Sequence, residues 1–350
     1  MSTLQLGLDS FGDITVDDSG QPLAMDEVIR NIIAEAELAD RLGLSYFGLG
    51  EHHRADFAVS ATSTVLSAIA ARTQNIHVGS SVTILSSEDP VRVYEQYATI
   101  DAISSGRAEV TLGRGSFIES FPLFGYDLNH YDELFEEKLD LFARLLTEDA
   151  ITWQGTQRAP LFDQQVYPKT ASGRLPTWIA IGGSPESVIR AAQYGFPMKL
   201  AIIGGALARF RPFVDLYYDT LAQVGHSPQP VAAHSPGYVA ETDEKAREEF
   251  WPYYREHFGR ISLERGWPQV LTPERFDAEI RGGALFVGSP ETVAKKLAQD
   301  AKTLGLQRFD LKYANGAMPH SLLLKSIELY ATEVVPRVHE ILSSPEPVAP

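Results

Sequence analysis

The sequence predicts an α/β fold, a (β/α)8 TIM barrel with insertions after the fourth and seventh strands. Three observations predict it. Eight short apolar runs alternate with helical segments, and that alternation calls for a parallel sheet covered by helices. Several runs stop at a glycine followed by polar residues, as barrel strands do when they deliver functional groups at their C-terminal ends. The chain has 350 residues, enough for one large barrel with added loops. The alternative is an open doubly wound sheet, which no GxGxxG turn supports.

Taken in order, the first strand is 4–8, followed by polar turn residues over 17–21. Between 26 and 42, Ile29, Ile32, Ile33, Ala36 and Ala39 recur at helical spacing, and Gly43 ends that helix. The second strand is 46–50, the Ala-rich stretch 60–73 is helical, and the β-branched run 76–84 is the third strand. Pro90 opens a helix to about 104. The fourth strand, 108–112, ends at Gly113-Arg114-Gly115. Residues 116–176 hold one clear helix, 133–147, and a loop rich in Pro, Gln and Gly. The fifth strand is 177–181, with a helix over 185–194, and the sixth is 199–203, with a helix over 208–224. The seventh strand is 231–240, followed by a charged helical region to about 281 and a helix over 290–304. The eighth strand is 308–313 and the last helix 322–342. Residues 1–342 are thus expected to form one barrel domain, with 343–350 a Pro-rich tail. The two long insertions follow strands and so should lie over the active face as lids. Phe117, Phe121, Trp251 and Trp267 within them suit an apolar pocket or ordinary lid packing.

Composition narrows the function. The net charge is 30 − 46 = −16, which should repel nucleic acid and anionic membranes. Hydrophobic residues make up 44%, enough for a sizeable core. Cysteine is absent, which excludes disulfides, thiolate metal sites and a cysteine nucleophile. No run nears the ~18 apolar residues of a spanning helix, and no basic-then-apolar leader is visible. A cytoplasmic location is the expectation. Phosphate-loop, GxSxG, HExxH and HxH motifs are all missing, which leaves a metal-dependent barrel hydrolase the least supported reading.

Several segments could carry chemistry. Glu51-His52-His53 ends the second strand. If it stays extended, its two histidines point to opposite faces, so one imidazole beside a carboxylate, suited to acid–base work, is favoured over a metal pair. Gly182-Gly183-Ser184-Pro185-Glu186-Ser187 joins two backbone-permissive glycines to a well-capped helix start, a combination that suits a phosphate. Gly288-Ser289-Pro290-Glu291 nearly repeats it, but the first copy is preferred because it directly ends an apolar strand and has the double glycine. Arg114, between glycines, suits a bidentate clamp on phosphate. Ser80-Ser81-Val82 offers small residues on which a flat ring can lie. His320 falls after the eighth strand, where it either joins the active face or begins the last helix.

With Leu49-Gly50-Glu51-His52-His53, Val78-Gly79-Ser80-Ser81, Asp89-Pro90-Val91-Arg92, Leu112-Gly113-Arg114-Gly115, Phe124-Gly125, Trp178 to Ser187 and Val287-Gly288-Ser289-Pro290-Glu291 in this order, the chain resembles the bacterial luciferase-like flavin monooxygenase family over most of its length. The resemblance implies reduced FMN at the barrel mouth, reacting with O2 to oxygenate a small organic substrate. It implies a ring near Ser81 and Val82, where the family has a non-prolyl cis peptide. It implies a phosphate held by Arg114, Gly182, Gly183, Ser184 and Ser187, and His52 as general acid–base and stabiliser. A homodimer is implied too. No nicotinamide fingerprint is visible, so a separate flavin reductase is expected. Two departures make light emission unexpected: luciferase's reactive cysteine position is Gly113, and its second phosphate-binding arginine falls near Asp132. Some relatives use the deazaflavin F420 for hydride transfer, so an F420-dependent dehydrogenase or reductase is the alternative. A non-catalytic flavin-binding accessory protein is the third reading.

Overall fold

Eight parallel strands pair in chain order and close on themselves. The structure, a computed structural model, describes residues 3–115, 117–264, 266 and 271–344. The barrel strands are β1 (Gln5–Ser10), β2 (Tyr46–Leu49), β3 (His77–Ser80), β4 (Ala108–Gly113), β5 (Thr177–Ile181), β6 (Met198–Ala201), β7 (Val231–Val239) and β8 (Arg308–Lys312). Leu8 pairs with Phe47, Phe47 with Val78, Val78 with Ala108, Leu112 with Ile179, and Ile179 with Met198. Leu200 then pairs with Ala233, His234 with Asp310, and Asp310 with Gly7, which shuts the ring. Helices cover the outside. Their apolar stripes, such as Val28, Ile32, Ala36 and Ala39 of Met25–Arg41, are buried against the strands. The eight expected strands and both long insertions are present.

Local departures from the sequence reading have physical causes. The expected strand 76–84 is split. β3 ends at Ser80, the Ser81–Val82 peptide is cis, and Thr83–Ile84 pairs with Leu112 and Gly113 of β4. Ile84 N is taken by Glu51 Oε2 at 3.1 Å, so the ladder with β2 cannot continue. The loop expected after the first insertion's helix (Tyr131–Leu145) contains an antiparallel hairpin, Ala150–Trp153 with Leu161–Gln165. Trp153 anchors it to that helix through Nε1 on Asp140 at 2.8 Å, a contact that local patterning cannot reveal. The charged region after β7 is two helices, Asp243–Glu264 and Pro273–Gly282, the second capped by Thr272. A three-residue strand, Phe286–Gly288, then pairs with the end of β7; it is too short to show alternation. The last helical stretch begins at His320 and widens to a π-turn over Tyr330–Val334, just before Pro336 withdraws an amide. Trp267 and tail residues 345–350 lie outside the described residues.

The barrel interior carries charge. Arg308, Asp310 and Lys312 alternate along β8, so they share its inner face. Arg308 pairs with Glu109 at 2.7 Å and lies over the rings of Tyr46 (4.1 Å) and Trp178 (4.3 Å). Lys199 Nζ lies 2.8 Å from Asp310, 3.1 Å from Asp9 and 3.3 Å from Ser81 Oγ. His234 Nδ1 meets Asp9 Oδ2 at 2.9 Å. Burial pushes the Glu109 carboxyl up, but the Arg308 guanidinium overrides it and holds the group down at about 2. Asp9 is likewise held low against burial by Lys199 and His234. Glycines make the room: a Cβ on Gly48 would sit 1.9 Å from Asp9 Oδ1, and one on Gly7 2.5 Å from Asp310 Oδ1.

Candidate active site at the C-terminal face of the barrel

Parallel strands put their C-terminal ends on one face, so the segments after β2, β3, β4 and β5 become neighbours. Those four segments hold Glu51-His52-His53, Ser81-Val82, Gly113-Arg114 and Gly182 to Ser187.

His52 leaves β2 and enters an aromatic box. Its ring centroid lies 4.3 Å from Phe57, 5.0 Å from Phe11 and 5.4 Å from Phe117. Its backbone is fixed by N–H donation to Val59 O at 3.0 Å. The side chain is buried, and Nε2 has no partner among the described residues. Burial pushes its pKa down to about 3, so the ring is neutral at neutral pH. That nitrogen is a buried polar atom whose hydrogen-bonding capacity the described residues leave unused.

His53 goes elsewhere. Its Nε2 meets Glu51 Oε1 at 3.0 Å and its ring packs edge-on against Phe124. Glu51, His53, Thr62, Glu88 and Tyr97 line a cavity of about 360 Å³. The doublet is therefore divided, and among the described residues no group of three or more His, Asp or Glu is set to hold a metal ion. His320 begins its helix and pairs with Glu35 at 2.9 Å.

The cis peptide stands at Ser81–Val82, where the resemblance implies one. Gly113 stands close to Val82: a Cβ there would lie 2.8 Å from Val82 Cγ2, so a larger residue would require Val82 to shift. Behind this edge stands the buried Lys199.

Arg114 reaches across to the helix after β5. Its Nη2 lies 3.3 Å from Ser187 Oγ, while Nη1 donates to Asp132 at 2.5 Å. Ser184 caps the helix Pro185–Gln193, accepting from Ser187 N at 3.3 Å and meeting Ser187 Oγ at 2.8 Å. Gly182 has open space where a Cβ would stand, and Gly183 takes φ +122°, a conformation that favours glycine. A cation, two hydroxyls, a helix N-terminus and an open glycine floor are thus together. The near-repeat at Gly288 differs. There Asp243 already accepts from Ser289 N at 2.7 Å and from Thr292 Oγ1 at 3.0 Å, so that helix end is sealed from within.

Sequence reading missed two groups. The interior charges Asp9, Lys199, His234 and Asp310 support the floor of the site; the period-two pattern 308, 310, 312 was a readable sign of them. Arg54 ties its own loop to both insertions through Asp56 (3.0 Å), Glu119 (2.5 Å) and Glu264 (2.7 Å), and lies over the Phe117 ring at 4.4 Å. No local signal marks it. Asp56, Tyr253, His257, Arg260 and Gly316 line a second cavity, of about 340 Å³.

Comparison with known proteins finds relatives over most of the chain. The chain is 28% identical over 332 residues to 4-hydroxyprotoasukamycin monooxygenase of Streptomyces nodosus subsp. asukaensis, covering 86% of this chain and 85% of that one. It is 25% identical over 357 residues to the alkanal monooxygenase alpha chain of Photorhabdus luminescens, covering 94% and 98%. Three solved structures share the fold. Monooxygenase RslO1 from Streptomyces bottropensis superposes with a TM-score of 0.82 at 22% identity, covering 95% of this chain and 99% of that one. The oxygenating constituent of 3,6-diketocamphane monooxygenase from Pseudomonas putida, solved with FMN, gives 0.78 at 16%, covering 96% and 98%. An F420-dependent secondary alcohol dehydrogenase gives 0.75 at 16%, covering 96% and 99%. The family model for luciferase-like monooxygenases matches residues 10–308, the span from the end of β1 to the start of β8, and the chain belongs to that family.

Proposed function

We propose that this protein is a flavin-dependent monooxygenase that uses reduced FMN and O2 on a small organic substrate, with the reduced flavin delivered by a separate reductase. The observation that carries the reading is the approach of Arg114 Nη2 to Ser187 Oγ, 3.3 Å, at the start of a helix floored by two glycines. That donor set fits a phosphomonoester: a planar cation, the hydroxyls of Ser184 and Ser187, and the amides of a helix N-terminus. Ser81 and Val82, two strands from the phosphate cradle, are the seat for the flat ring. Bound reduced FMN supplies the electrons that activate O2. The chain's own residues hold it, orient it and keep water away. Phe11, Phe57 and Phe117 wall the site, and His52 Nε2 is left free to hydrogen-bond a bound group. Because burial keeps the ring neutral, His52 takes a proton only when an anion forms beside it. A homodimer in the cytoplasm completes the reading. Among the described residues no helix is long and apolar enough to cross a membrane.

Titration with FMN, riboflavin and F420, on wild type and Arg114→Ala, tests it. FMN is expected to bind more tightly than riboflavin. Arg114→Ala should weaken FMN at least tenfold, the loss of about 1.5–3 kcal/mol typical of a hydrogen bond to a charged group, while leaving riboflavin unchanged. Tight F420 binding with no FMN binding would replace the reading with an F420-dependent dehydrogenase. Turnover unchanged in His52→Ala would remove that residue from the mechanism, and flavin binding with no turnover in the wild type would favour a non-catalytic accessory protein.

A further inference from the structure

We infer that Asp132 sets this site's affinity for a phosphorylated ligand, holding Arg114 as an internal anion that a phosphate has to displace. The inference rests on the phosphate reading above and names the residue that tunes it.

Asp132 stands in the first turn of Tyr131–Leu145, where a carboxylate also favours the helix dipole. Its Oδ1 accepts from Arg114 Nη1 at 2.5 Å. The other guanidinium nitrogen, Nη2, is turned to Ser187 Oγ at 3.3 Å. The Tyr131 ring, 5.1 Å from the guanidinium carbon, backs the pair. The guanidinium therefore stands between two anion positions, one filled by Asp132 and one open at the helix start. A guanidinium fork binds one planar or tetrahedral anion bidentately. While Asp132 takes one arm, a phosphate is left with the other. The Asp132 side chain is 73% exposed, so it can swing into water when displaced.

The molecule carries its own contrast. At the near-repeat, Asp243 takes the Ser289 amide directly and closes the helix end. Asp132 takes the cation but no amide of Pro185–Gln193, so it weakens the cradle without shutting it.

Equilibrium binding of FMN and riboflavin at low salt, to wild type, Asp132→Asn, Asp132→Ala, Arg114→Ala and the double variant D132N/R114A, tests this. Asp132→Asn and Asp132→Ala should each tighten FMN five- to thirtyfold and leave riboflavin unchanged. The double variant should match Arg114→Ala, because the effect passes through that guanidinium. Asp219→Asn, which removes an exposed carboxylate on the helix Arg211–Val224, controls for net charge and should change nothing. FMN affinity unchanged or weakened in both Asp132 variants overturns the inference. If Arg114→Ala reduces the preference for FMN over riboflavin and the Asp132 variants do not raise it, this inference alone fails. If Arg114→Ala leaves that preference unchanged, the phosphate reading fails and this inference with it.

Discussion

Arg54 Nη2 donates to Glu264 Oε1 at 2.7 Å, across 210 positions of chain. The same guanidinium holds Glu119 and Asp56, and Asp56 also takes Arg260 at 2.8 Å. One side chain thus ties the loop after β2 to both long insertions, directly above Phe117 of the His52 box.

Arg54→Met should free those insertions without unfolding the barrel. Glu119 and Glu264 are each 36% exposed, so the net stability change is expected to stay within about 1–2 kcal/mol. Hydrogen exchange over 117–124 and 255–264 should quicken at least tenfold. Unchanged exchange there would show that Arg54 is not a latch.

His52 predicts a pH effect. Its folded pKa, about 3, lies below the ordinary value of 6.5, so the unfolded chain binds the proton first. Stability then falls as pH drops from about 6.5 towards 3, by up to about 1.4 kcal/mol per pH unit. His257 acts in the same direction, burial having lowered it to about 4. Glu109, held at about 2, enters only below its ordinary 4.5. His52→Phe, which suits the phenylalanine box, should therefore flatten the slope between pH 6 and 4.5 by about one proton. Urea midpoints across that range would read it, and an unaltered slope would mean that His52 titrates normally.

Lys199 holds the interior together. Lys199→Met removes the cation shared by Asp9 and Asp310 and should cost about 3–5 kcal/mol, the usual penalty of an uncompensated buried charge. Adding Asp9→Asn should recover part of that loss. A double variant no better than the single would place the damage in packing rather than charge.

Two glycines should behave in opposite ways. Gly48→Ala drives a methyl to 1.9 Å from Asp9 Oδ1 and should destabilise by about 3 kcal/mol or more. Gly182→Ala meets nothing within 4 Å and should leave stability within about 0.5 kcal/mol. Thermal unfolding of both separates a glycine that the packing requires from one that it does not.

The sequence by itself determined what depends on near neighbours in the chain. Apolar runs of four to nine residues, glycine stops and capped helix starts located all eight barrel strands and the Ser184 cap, because these features involve residues two to four positions apart. The barrel's closure then followed from the count of alternating units. Tertiary structure decided everything that joins distant positions. His52 and Arg114 were legible as residue types, but the Phe11–Phe57–Phe117 box and the Arg114–Ser187 approach exist only once four strand ends share a face. The Asp9–Lys199–Asp310 cluster spans about 300 positions, and only the register of β8 against β1 turns those charges inward at a spacing where they neutralise one another. Local rules see propensity and period; a buried charge is set by the partner that the closed barrel brings to it.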